Sequence, residues 1–126
     1  MKILVVDDDP ESLLITEHQI KSQIKNAEID ACEKTCRALN KYIKEDYDFV
    51  VLDFIMPGES TLHLAKDLKK IGCDNLAFFT HITSDPDGIN EMDGVLYKFF
   101  DKNHPEELCE YIKEDKDVRK IKPGNP

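Results

Sequence analysis

Phe49-Val50-Val51-Leu52-Asp53-Phe54-Ile55-Met56-Pro57-Gly58 is four apolar residues running straight into a carboxylate and then a Pro-Gly loop. An unbroken apolar run of that length, rather than an alternating one, reads as a strand covered on both faces. An unpaired carboxylate at its end is costly to bury, so Asp53 needs a partner or a purpose.

Four similar segments flank it. Lys2 to Val6 ends in Asp7-Asp8-Asp9, and a weaker one runs from about Glu28 to Cys32. Asn75 to Thr80 carries Leu76-Ala77-Phe78-Phe79, and Val95 to Phe100 is the last. Helical spacing fills the gaps. Asp9 and Pro10 suit the cap and first position of a first helix whose apolar residues are Leu13, Leu14, Ile20 and Ile24. A second helix, about 34–44, repeats Cys36, Leu39 and Ile43. A third, about 60–70, repeats Leu64, Leu68 and Ile71, with Gly72 as its stop. The last, about 105–115, repeats Leu108 and Ile112. Between Thr83 and Gly94, Pro86 and Gly88 leave room for only a short helix anchored by Ile89 and Met92.

Strand–helix alternation of this kind predicts an α/β fold, a doubly wound parallel sheet with helices on both faces. The expected sheet has five strands in the order 2-1-3-4-5, flavodoxin-like, with a shortened fourth helix. Residues 1–115 form one domain, and 116–126 form a flexible C-terminal tail.

Composition narrows the function classes. The 126 residues carry a formal net charge of −9, with 40% apolar and 34% charged residues. That balance suits a soluble globular chain and disfavours nucleic acid and anionic membranes. The four cysteines, Cys32, Cys36, Cys73 and Cys109, lack metal-site spacing and read as buried or half-buried free thiols. No apolar run approaches membrane length, so a cytoplasmic location is expected.

In a doubly wound sheet, ligands bind beyond the carboxyl ends of the strands. Asp7, Asp8, Asp9 and Asp53 lie at such ends, Thr80 closes the fourth strand, and Lys98 lies in the fifth. Acidic groups in one cleft repel, and a divalent cation relieves that; oxygen donors suit Mg²⁺. A carboxylate can serve as a nucleophile toward phosphorus, with a lysine and a hydroxyl steadying the phosphoryl oxygens. Each residue also has a plainer role: a solvated cap cluster for the acidic triplet, a strand-end Thr80, a solvent-facing Lys98.

Taken together, Ile3-Leu4-Val5-Val6-Asp7-Asp8-Asp9-Pro10, the stretch from Val50 to Gly58, Thr80 and Lys98 resemble the receiver domain of two-component response regulators, over about residues 2–115. The resemblance is to a stand-alone receiver of the chemotaxis-regulator kind. It implies Asp53 as phosphoacceptor, and Mg²⁺ held by Asp7, Asp8, Asp53 and the Ile55 carbonyl, with Asp8 the direct ligand of the first pair. It implies Thr80 and Lys98 as phosphoryl contacts, and Asp9 as a helix cap. The implied donor is a histidine kinase or histidine phosphotransfer protein, and the output an unidentified protein contact. Such a domain assists its own phosphorylation and is no conventional enzyme.

Four departures concentrate near the C-terminal third, one of them spacing: only 18 positions separate Thr80 from Lys98, fewer than the family usually has. The family usually carries Pro after its lysine, where Phe99 follows Lys98; an aromatic three residues before it, where Val95 stands; and a small residue after Thr80, where His81 stands. His81 would narrow access to Asp53, contact a phosphoryl group, or sit as an exposed loop histidine. These departures keep open a receiver-like interaction module without a working phosphorylation switch. An Mg²⁺-dependent phosphohydrolase is disfavoured, because such enzymes usually place a second Asp two residues after the nucleophile, where Ile55 stands.

Overall fold

The computed structural model describes residues 1–81, 89–92 and 95–121. Its elements in chain order are β1 (Lys2–Val6), α1 (Pro10–Gln23), β2 (Glu28–Cys32), α2 (Thr35–Lys44), β3 (Phe49–Leu52), α3 (Thr61–Lys70), β4 (Leu76–Thr80), β5 (Ile89–Met92), β6 (Val95–Asp101) and α4 (Pro105–Ile121). Five strands are parallel in the order β2-β1-β3-β4-β6, which is the expected 2-1-3-4-5 arrangement.

The sheet separates two apolar layers, as strand pleating requires. Leu4, Val6, Val50, Leu52, Phe78 and Phe99 face one side, against Ala38 of α2 and Leu64, Ala65 and Leu68 of α3. Ile3, Val5, Phe49, Val51, Phe79 and Phe100 face the other, against Leu13 and Ile20 of α1 and Leu108 and Ile112 of α4. All four residues of β3 are buried, which is why its sequence does not alternate.

Several local expectations hold. The Asp9 side chain accepts from the Glu11 amide with Pro10 opening α1, and Ser60 caps α3 by accepting from the His63 amide. Gly72 ends α3 with φ of 101°, a left-handed conformation that glycine adopts without steric cost.

Others are corrected. Ile89–Met92, expected within a shortened fourth helix, forms an antiparallel strand on β6 and so a sixth strand. The rest of that segment, 82–88 and 93–94, lies outside the described residues. The last helix continues from 115, its expected end, to Ile121, into the stretch read as tail. In α2 the buried position is Ala38, with Leu39 and Tyr42 packing beside it, while Ile43 and Cys36 are exposed. Leu14 of α1 is likewise exposed.

Candidate functional site

The parallel register brings the strand ends together. Val6 pairs with Leu52, so Asp7 and Asp53 leave β1 and β3 side by side. The Asp53 amide donates to the Val6 carbonyl at 2.9 Å, and the Asp7 amide to the Cys32 carbonyl at 3.0 Å. Asp7, Asp8 and Asp53 each present a carboxylate oxygen, and these oxygens lie within 4.8 Å of one another. Asp7 is buried, Asp53 half-buried and Asp8 exposed, so the cluster opens to solvent on the Asp8 side. A set of hard oxygen donors this close suits Mg²⁺, which takes one or two carboxylates and keeps several waters.

Thr80 ends β4 in a buried position, with its hydroxyl near enough to Asp53 to favour the ionised carboxylate. The Ile55 amide approaches Asp53 Oδ1 at 3.4 Å, while the Ile55 side chain is exposed. The loop after Asp53 is held from three sides. Phe54 packs edge-on against Phe78 and Phe99, its carbonyl accepts from the Thr61 hydroxyl at 2.9 Å, and Glu59 accepts from both the amide and the hydroxyl of Thr35 at 2.7 Å.

The lysine is not where the sequence reading put it. Lys98 lies inside β6, three residues before Asp101, the partner of Thr80. At about 3.3 Å per residue that leaves it roughly 10 Å short of the strand end. Its ammonium sits over the rings of Phe100 and Tyr111, at 5.6 and 5.8 Å, on the α4 side of the sheet. Lys102 stands at the cleft instead. Its amide donates to the Thr80 carbonyl at 2.9 Å, which fixes it level with the end of β4. Its Nζ lies 2.8 Å from Asp7 Oδ2, 2.9 Å from Ser12 Oγ and 3.5 Å from Asp53 Oδ2. The local signal for it was slight: the apolar run ends at Phe100, and Lys102 stands two residues beyond it. Ser12 was also missed, since a serine in a first helical turn has no distinguishing mark in sequence.

With the lysine at 102, the position three residues before it is Phe99, an aromatic, rather than Val95. Phe99 is buried and stacks on Phe78 at 4.8 Å. Asn103, not proline, follows Lys102. His81 is exposed and lines the same cleft of about 390 Å³ as Asp7, Asp8, Ser12, Asp53 and Lys102.

Electrostatics divide the two inner carboxylates. Burial works to raise the Asp7 carboxyl, but hydrogen bonds from Lys102, Ser12 and the Asp9 amide prevail and hold it below its ordinary value. Burial raises the Asp53 carboxyl and wins; the Lys102 charge opposes it, and the Asp7 charge adds to it. Ligand-free Asp53 is therefore the less comfortable anion.

Residues 3–113 match the response regulator receiver domain family, and the chain belongs to it. This is the receiver fold of two-component signalling. The chain is 37% identical to the sensory transduction protein LytR of Staphylococcus saprophyticus over 73 residues, 56% of this chain and 28% of that protein. It thus spans little more than a quarter of the curated relatives it matches. Among solved structures it resembles the response regulator TrrA of Thermotoga maritima in complex with Mg²⁺-BeF, at 30% identity and a TM-score of 0.71, covering 90% of this chain and 97% of that one. TrrA has also been solved in complex with the histidine kinase ThkA, with 27% identity, a TM-score of 0.69 and the same coverages. A receiver domain from Clostridium thermocellum shares the fold at a TM-score of 0.78 and 20% identity, covering 95% and 97% of the two chains. None of the helices among the described residues is long and apolar enough to cross a membrane.

Proposed function

We propose that this receiver domain accepts a phosphoryl group on Asp53 from a phosphohistidine and signals through protein contacts. The observation that carries the reading is the convergence of Asp7, Asp8, Asp53, Thr80 and Lys102 at the carboxyl ends of β1, β3, β4 and β6.

Asp7, Asp8 and Asp53 would hold Mg²⁺, with the Ile55 carbonyl as a further donor. When bound, the cation supplies positive charge to the phosphoryl oxygens. An Asp53 carboxylate oxygen attacks phosphorus in line; the new O–P bond forms as the P–N bond to the donor imidazole breaks, and that imidazole takes up a proton. The Thr80 hydroxyl donates to one phosphoryl oxygen and the Lys102 ammonium pairs with another. Burial of Asp53 leaves its negative charge poorly satisfied before transfer, which favours a reactive nucleophile. Later hydrolysis of the acyl phosphate returns the carboxylate.

The likeness to TrrA, solved with a histidine kinase and with Mg²⁺-BeF, supports the donor and the cation. Relocating the lysine weakens the competing reading of a module without a switch. With Lys102 at the cleft, Phe99 fills the aromatic position, while Asn103 in place of proline and His81 remain as departures.

The test is incubation with Mg²⁺ and acetyl phosphate, followed by intact mass, beside Asp53→Asn and a metal-free control. One added phosphoryl group requiring both Asp53 and Mg²⁺ is expected. Beryllofluoride covers a short-lived product through Mg²⁺-dependent spectral shifts. No adduct and no shift would leave a receiver-shaped binding module.

A further inference from the structure

The geometry points to Ser12 as a positioning residue that keeps the Lys102 ammonium off the bare Asp53 carboxylate and aimed at the phosphoryl oxygen that arrives there. The inference rests on the reading of Asp53 as phosphoacceptor and concerns how that site is made ready.

An ammonium carries three N–H donors. Lys102 spends one on Asp7 Oδ2 at 2.8 Å and one on Ser12 Oγ at 2.9 Å. Its approach to Asp53 Oδ2, 3.5 Å, is an ion-pair distance, longer than the ~2.7–2.9 Å of a charge-assisted hydrogen bond. The third donor therefore has no close acceptor on the bare carboxylate. A phosphoryl oxygen lies beyond the carboxylate oxygen that carries it, so an ammonium held back at this distance leaves room for one.

Ser12 is well placed to set that distance. It sits in the first turn of α1, three residues after the Asp9 cap, so its hydroxyl is fixed by the helix that starts where the acidic triplet ends. Asp7 alone cannot hold the ammonium back, because its carboxylate belongs to the cluster a cation would share. The hydroxyl is neutral and lies outside the carboxylate cluster, and as an acceptor it pulls the ammonium toward α1. Without it, the ammonium relaxes onto the half-buried Asp53 anion, the nearest unsatisfied charge, and ties up the nucleophile. Lys102 is 11% exposed, so water replaces the hydroxyl poorly.

Three substitutions separate this role from a packing role: Ser12→Ala, Ser12→Val and Ser12→Thr. Val and Thr share shape and helix propensity and differ in the hydroxyl. Purified protein is phosphorylated with acetyl phosphate at saturating Mg²⁺ and followed by intact mass against time and donor concentration. Urea midpoints monitor folding. Ala and Val are expected to lower the maximal rate about three- to ten-fold, the worth of one net hydrogen bond, with little change in the donor concentration for half-maximal rate. Thr retains most of the rate. Equal rates for Val and Thr, or a faster Ala variant, overturn the inference while leaving Asp53 as phosphoacceptor. A wild type that takes up no phosphoryl group and shows no beryllofluoride response overturns both readings.

Discussion

Replacing Lys102 by Met, beside the same change at Lys98, separates the two lysines by energy and by chemistry. The Lys102 side chain is 11% exposed, and its carboxylate partners Asp7 and Asp53 are 4% and 12% exposed. Removing one partner of a buried ion pair costs about 3–5 kcal/mol, because the remaining charge is left without compensation. The cleft is open at Asp8, so solvent screening brings the cost below that range, to roughly 2–3 kcal/mol. At about 3–4 °C per kcal/mol for a domain of this size, the thermal midpoint falls by about 6–12 °C. Among the described residues, Lys98 makes ring contacts at 5.6 and 5.8 Å, worth about 0.5–1 kcal/mol. Urea unfolding followed by circular dichroism, in EDTA and in Mg²⁺, measures both. The Lys102→Met variant should recover more stability from Mg²⁺ than wild type does, since a cation replaces the lost charge. It should also take up phosphoryl groups from acetyl phosphate far more slowly, while Lys98→Met behaves as wild type. A Lys98→Met protein that loses phosphorylation, beside a Lys102→Met protein that keeps it, would refute the placement of the lysine.

Other outcomes follow from the same geometry. The Asp53 carboxyl is raised in the fold, so its contribution is favourable in acid and is lost as pH rises through its folded value; metal-free Asp53→Asn should therefore exceed wild type in urea midpoint at neutral pH, and the gap should close on acidification. Asp7 has the opposite sign: its carboxyl is lowered, its contribution is present above the ordinary carboxylate range and is lost as pH falls through the folded value. Asp7→Asn should cost about 1.5–3 kcal/mol at neutral pH, the worth of a hydrogen bond to a charged group, and converge with wild type in acid. Mg²⁺ at 100 times its dissociation constant should stabilise wild type by about 2.7 kcal/mol, and calorimetry should show that gain shrinking in Asp8→Ala. Leu68→Ala, at a fully buried position of α3, should cost about 2–5 kcal/mol by denaturant titration without altering the far-ultraviolet spectrum.

Most of this protein was legible because its signals are local. Runs such as Phe49–Leu52 and Leu76–Phe79 announce strands covered on both faces, and the capping chemistry of Asp9-Pro10 and Ser60 marks helix starts. Asp7, Asp8, Asp53 and Thr80 sit immediately at strand ends, so alternation of elements was enough to bring them to one edge. Register and packing decided the rest. Whether Lys98 or Lys102 meets the acidic cluster depends on Thr80 pairing with Asp101, a long-range match that no window of sequence contains. Ile89–Met92 carries too few residues to declare a helix or a strand by periodicity, and pairing along β6 makes it a strand. The buried face of α2 turns on which residues meet the sheet, so small Ala38 is enclosed while Ile43 stays in solvent. Ser12 acquires its place only because α1 carries its hydroxyl to within 2.9 Å of an ammonium 90 residues away in the chain. Sequence encodes local propensity and polarity; which distant side chains share a cleft is set by strand pairing and helix docking.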